Sequence, residues 1–211
     1  IDMKVLLIAP YVQPVYGTKN KPYEHIANET IRQKEERIKL NLELALPPVR
    51  EDFYPSAALV HLAAMLRANK FETTIVDLNN RIVQSYNEKY FDYCEKVIIE
   101  ALEKFKPDLV GINCLFSGNF PDVLKIARVI KSHSPHLKIA TGGIHPTTYP
   151  KEILSNCNDI DYVAIGEGEN SIVALSASIK EKNESLLSHI KSFAYRDKDG
   201  AVKINREKNY V

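Results

Sequence analysis

The chain has 211 residues, 45% of them apolar and 26% charged, with a net charge of +1. This is enough for one α/β domain with a full core, and it gives no global field to recruit nucleic acid or an anionic membrane. No apolar run approaches the length of a membrane span, and the first residues lack a signal-peptide pattern.

The first expected element is "KVLLIAP" (4–10), a continuous apolar run of the kind buried on both faces of a sheet. A long excursion over 11–54 follows, with an amphipathic helix expected over 24–45. A connection of this length is either functional or a surface insertion packed on the helices. Ser56 is placed to cap "AALVHLAAMLRAN", in which Leu59, Leu62, Ala63 and Leu66 share a face. "TTIVDL" (73–78) reads as a second strand. Tyr90, Phe91, Cys94, Val97, Ile98, Ala101, Leu102 and Phe105 then keep helical spacing until Pro107 ends it.

"DLVGINC" (108–114), "LKIAT" (137–141) and "DYVAI" (161–165) supply three more strands. They alternate with helices opening at Pro121 and at "GENSIVALSASIKE" (168–181). "SFAYRDKDGAVKIN" (192–205), turning at Asp199-Gly200, reads as a β-hairpin. Five buried strands alternating with helices predict a Rossmann-like, flavodoxin-like three-layer α/β sandwich. Its five-stranded parallel sheet is expected in the order 2-1-3-4-5, with a helical insertion after strand 1 and a C-terminal β-hairpin.

In such a sheet, ligands bind beyond the carboxyl ends of the strands. The loops expected there are "APYVQPVYG", "CLFSGNFP", "GGIHPTTYP" and "GEGE", and they hold nearly every unusual stretch of the chain. Each residue in them has two readings. Ser117 and Asn119 either bond a ligand or cap the next helix. Gly142-Gly143 either admits a ligand to the backbone or makes a tight turn. His145 faces a ligand, satisfies a turn or donates to a metal, and Glu167 and Glu169 suit a helix N-terminus whatever the function.

Several chemistries are excluded. The sequence has no GxxxxGK[ST], no GxGxxG after strand one, no aspartate ending strand three and no GxSxG. The three cysteines, Cys94, Cys114 and Cys157, form no CxxC, so a reduced, cytoplasmic setting is the default. A large-ligand holder without its own catalytic machinery is what remains.

In sequence, "KVLLIAP", "YPSAALVHLAAMLRANKFETTIVDL", "PDLVGINC", "GGIHPTTYPKEIL" and "DYVAIGEGE" resemble the N-terminal cobalamin-binding domain of B12-dependent radical SAM proteins. That group includes anaerobic Mg-protoporphyrin monomethyl ester cyclases and radical SAM methyltransferases. The resemblance runs from about residue 3 to 171, with a weaker echo through the hairpin. It implies a corrin ring held on the strand-end face and a nucleotide tail beside the sheet. Gly142, Gly143, His145, Pro146 and Thr147 would line the tail or the corrin edge, with Ser117 and Gly118 opposite. Gly166, Glu167 and Gly168 would close the rim, and Pro10 would border it at the end of strand one.

The resemblance also implies cobalamin without a histidine ligand, since the DxHxxG motif is absent. The CxxxCxxC set of the [4Fe-4S] cluster is missing too. S-adenosylmethionine and the cluster are therefore expected only in a separate radical SAM domain, the alternative being a stand-alone binding protein. The expected division is a cobalamin-binding domain over 3–190, then a hairpin and the start of a linker over 191–211. The insertion is the expected place for an interface between copies of the chain. Two rival readings stay open on the residues: an interaction module with a vestigial site, and a flavodoxin-like binder of a flavin or nucleotide.

Overall fold

The computed structural model describes residues 3–10, 56–78 and 90–206. The insertion over 11–54, with the helix expected at 24–45, lies outside the described residues, as does 207–211. The described chain runs β1 (Lys4–Ala9), α1 (Ala57–Ala68), β2 (Glu72–Asp77), α2 (Tyr90–Phe105) and β3 (Leu109–Asn113). It continues with α3 (Phe120–His133), β4 (Lys138–Gly142), α4 (Ile144–Thr148), α5 (Pro150–Asn156) and β5 (Tyr162–Ala164). Helix α6 (Glu169–Lys180), β6 (Phe193–Arg196) and β7 (Val202–Asn205) complete it.

The sheet order is β2-β1-β3-β4-β5-β6-β7. The first five strands are parallel, in the order expected. The expected sheet of five strands is corrected to a mixed sheet of seven, because the hairpin pairs antiparallel along β5. An unpaired edge of β5 would expose a row of backbone donors and acceptors, and the hairpin covers it.

Alternation along the strands sorts the core into two layers. Leu6, Ile8, Val110, Ile112, Ile139 and Val163 face α2, α3 and α5. Val5, Leu7, Leu109, Ala140, Tyr162 and Phe193 face α1 and α6. Helix α1 starts where Ser56 predicted: its Oγ accepts the Leu59 N–H at 3.5 Å. Leu59, Ala63 and Leu66 are buried beneath it. The expected inner face of α3 is also observed, with Val123, Ile126, Ala127 and Ile130 buried.

Two polar devices fix the far edge. Lys131 Nζ and the Ile139 N–H both reach Asp161 Oδ2, at 2.8 and 2.9 Å, tying α3 and β4 to the start of β5. Arg196 donates to the carbonyls of Leu154 (3.1 Å) and Ile160 (2.7 Å), and more loosely to Cys157 and Asn158. One guanidinium thus collects the acceptors left at the end of α5 and anchors β6 to it.

Candidate functional site

A pocket of about 250 Å³ opens at the carboxyl edge of the sheet, between the sheet face and the first turns of α1 and α6. It exists because side chains are small where the strands approach that edge. Gly111, Ala140, Gly142 and Ala164 line its floor, on the face whose deeper positions carry Leu109 and Tyr162. A Cβ on Gly111 would lie 2.8 Å from Leu7 Cδ2, so Leu7 fills part of the space and the rest stays open. Leu59, Leu62 and Ile172 form the helical wall. Asn113, Glu167 and Glu169 bring polar groups to the lining. Glu169 Oε2 is shielded from solvent and has no hydrogen-bond partner among the described residues.

The rim around the pocket is stitched across three loops. The Cys114 N–H donates to the Gly142 carbonyl at 2.7 Å. Gly143 has φ of +116°, and a Cβ there would run into the Cys114 carbonyl group. Only glycine allows β4 to end this close to the turn after β3. His145 Nδ1 lies 3.0 Å from Ser117 Oγ, and its ring packs against Phe120 and Tyr149 at centroid distances of 4.4 and 5.1 Å. Burial there holds the imidazole below its ordinary pKa of 6.5. Thr147 Oγ1 accepts the Gly166 N–H at 2.8 Å, joining the loop after β4 to the loop after β5.

The stretch expected as a stiff loop is helical: it forms α4 and α5, with Pro146 in the first turn of one and Pro150 opening the other. Proline lacks an N–H that the first turn does not use, so both are compatible with helix. Asn119 stands at the N-cap of α3 without a side-chain capping bond. Apolar side chains stand exposed on the same rim: Leu115 at 43%, Phe116 at 47% and Ile144 at 62%. The Cys114 thiol points to the Phe116 carbonyl at 3.5 Å, and burial pushes it up to about 11.

Of the residues singled out in the sequence, Gly142, Gly143, Gly166, Glu167 and Gly168 line the pocket. His145 and Thr147 serve rim contacts, Pro146 is buried, and Ser117 and Gly118 are exposed beside them. Pro10 is buried after β1 and is not part of the lining. Sequence reasoning missed Gly111, Ala140, Ala164 and Leu59 as lining residues. The available signal was Gly111, an isolated glycine inside a buried strand, which marks a close approach of something to the backbone.

The B12-binding domain family matches residues 49–176, and this segment holds β2 to β5 and most of the pocket. The chain belongs to the B12-binding domain family. The B12-binding domain is 28% identical over 162 residues to cytidylyl-2-hydroxyethylphosphonate methyltransferase of Streptomyces wedmorensis, covering 73% of this chain and 29% of that protein. It is 26% identical over 154 residues to the anaerobic magnesium-protoporphyrin IX monomethyl ester cyclase of Rubrivivax gelatinosus, covering 71% and 25%. A solved structure of the cobalamin-dependent S-adenosylmethionine radical enzyme OxsB, with aqua-cobalamin and S-adenosylmethionine bound, superposes with a TM-score of 0.63. It has 17% identity and covers 99% of this chain and 23% of that one, which speaks for the fold. The B12-binding domain thus spans less than a third of each of these relatives and is similar to the corresponding part of cobalamin-dependent radical SAM enzymes. Among the described residues, no helix is long and apolar enough to cross a membrane.

Proposed function

We propose that this B12-binding domain holds cobalamin for a radical SAM enzyme, with the nucleotide tail in the pocket beside the sheet and the corrin across the loop rim. The observation that carries this reading is the pocket itself, cleared by small residues on one sheet face at the edge where α/β sheets bind ligands. The residues fit the group: a slot lined by Gly111, Ala140, Ala164 and Leu59 suits a flat ring. Leu115, Phe116 and Ile144 offer exposed apolar surface to a corrin edge. His145 is held at the rim by its Nδ1 contact to Ser117 Oγ at 3.0 Å, and Cys114 is kept as a neutral thiol by burial.

When bound, cobalamin supplies methyl-group or electron transfer. This chain's residues orient the cofactor and shield its tail from water. The substrate chemistry, methyl transfer or oxidative cyclisation, belongs to a separate domain carrying S-adenosylmethionine and a [4Fe-4S] cluster. On this reading the binding domain expected over 3–190 extends through the hairpin, which completes its sheet and buries Phe193 and Ala194 in its core.

Titration of the purified chain with hydroxocobalamin, followed by corrin absorbance and co-elution in gel filtration, tests the proposal. One equivalent is expected to bind, and Ala164→Leu, which fills the slot, is expected to weaken binding at least tenfold while circular dichroism stays unchanged. A folded wild-type chain that elutes colourless would overturn it.

A further inference from the structure

We infer that the pocket selects among corrinoids by their lower base, taking a benzimidazole-type tail and rejecting a purine-type one. The inference rests on the proposed placement of the tail and goes on to what the walls can recognise. The inner lining consists of Leu7, Gly111 and Ala140 on the sheet, with Leu59, Leu62 and Ile172 opposite. None of these side chains has a hydrogen-bonding group. The backbone beneath them is committed as well. Leu7 lies between β2 and β3, Gly111 between β1 and β4, and Ala140 between β3 and β5, each paired on both sides. The Thr141 hydroxyl donates to the Ile112 carbonyl at 2.9 Å.

A dry apolar cavity of about 150 Å³ already admits a single aromatic ring. The 250 Å³ here leaves room for a fused bicycle. Dimethylbenzimidazole brings one free ring nitrogen and two methyl groups into that space. Adenine joined to the same ribose brings three free ring nitrogens and an amino group. Each further hydrogen-bonding group buried without a partner weakens binding by about tenfold, and the lost methyl contacts add to that.

The polar part of the lining has a complementary character. It carries the two carboxylates Glu167 and Glu169 and the Asn113 amide, whose nitrogen donates to Ser56 Oγ at 3.4 Å, and no basic residue among the described residues. A carboxylate oxygen sealed from solvent without a partner, as Glu169 Oε2 is, calls for a hydrogen-bond donor. In the proposed placement the ribose hydroxyls, common to both kinds of tail, would supply that donor. Glu169 therefore contributes to affinity for any nucleotide-bearing corrinoid, and the apolar floor contributes the choice of base.

The test compares dissociation constants of the purified chain for hydroxocobalamin, adenyl pseudocobalamin and cobinamide, which has no nucleotide, by calorimetry and corrin absorbance. Hydroxocobalamin is expected to bind at least tenfold more tightly than pseudocobalamin, and cobinamide at least tenfold more weakly than hydroxocobalamin. Ile172→Asn, which adds an amide to the inner wall, is expected to narrow the gap between the two complete corrinoids. Glu169→Gln is expected to weaken both by a similar factor, about fivefold. Equal binding of hydroxocobalamin and pseudocobalamin would overturn the base selection while leaving cobalamin binding intact. Cobinamide binding as tightly as hydroxocobalamin would overturn the placement of the tail. Failure of all three to bind a folded chain would instead remove the proposed function itself, and the selection with it.

Discussion

Gly143 carries the sharpest steric demand among the described glycines. Its φ of +116° and the Cys114 carbonyl carbon, 2.8 Å from a would-be Cβ, leave no room for alanine. The backbone conformation alone costs a side-chain-bearing residue about 1–3 kcal/mol. Gly143→Ala is therefore expected to lower stability by at least that much, read as a drop in the urea midpoint at unchanged slope. Cys114 gives a second residue-scale expectation. Its thiol, raised to about 11 by burial, stays protonated near neutral pH. Iodoacetamide at about pH 8 should therefore modify the partly exposed Cys157 first and reach Cys114 only on unfolding. Rapid labelling of Cys114 in the native chain would contradict this placement. The two glycines differed in how far the sequence betrayed them. Gly143 stood in a visible cluster after a strand, whereas Gly111 is hidden in "LVGIN", where its purpose depends on what lies across the sheet face.

Among the elements, α4 joins its neighbours chiefly through side chains. His145 links it to the turn at Ser117, and Thr147 links it to Gly166. Because burial lowers the folded-state pKa of His145 below 6.5, the unfolded chain takes up the proton first as pH falls. Stability from this group is present above about 6.5 and declines below it, until the folded-state pKa is passed too. The urea midpoint is expected to fall more between about pH 7.5 and 5.5 in the wild type than in His145→Gln. At the other end, Arg196→Met would strand the carbonyls of Leu154 and Ile160. A loss of about 2 kcal/mol is expected, by analogy with other hydrogen bonds to charged groups, with faster amide exchange across β6 and β7. The strands and long helices were legible because each carries an unbroken apolar run or a clean helical period. Helix α4 was not. It is five residues long, contains proline and two β-branched threonines, and owes its shape to tertiary bonds that local propensity does not register.

For the whole molecule, alternation and right-handed crossovers narrowed the parallel strands to few topologies, of which the flavodoxin-like order is a common one for five strands. The joining of the hairpin to the sheet could not, because a hairpin sequence specifies its own turn and not the edge it pairs with. The pocket was legible as an edge but not as a volume, since it is made by what Gly111, Ala140 and Ala164 lack. Ligand occupancy should register globally. At a hydroxocobalamin concentration about a hundredfold above its dissociation constant, linkage adds about 2.7 kcal/mol. For a chain of this size that corresponds to a rise in melting temperature of roughly 5–10 °C, measurable by differential scanning calorimetry.

The hairpin also has a consequence of parity. A single antiparallel strand beside β5 would carry the backbone down the sheet and leave it at the amino edge. Two strands restore the original heading: Ala164 aligns with Phe193, and Phe193 with Asn205. At Asn205, pinned by its side-chain amide to the carbonyls of Leu187 and Ile190 at 2.9 Å, the chain is travelling toward the carboxyl edge of the parallel strands. An even number of reversals thus returns the polypeptide to the side of the sheet on which the pocket opens.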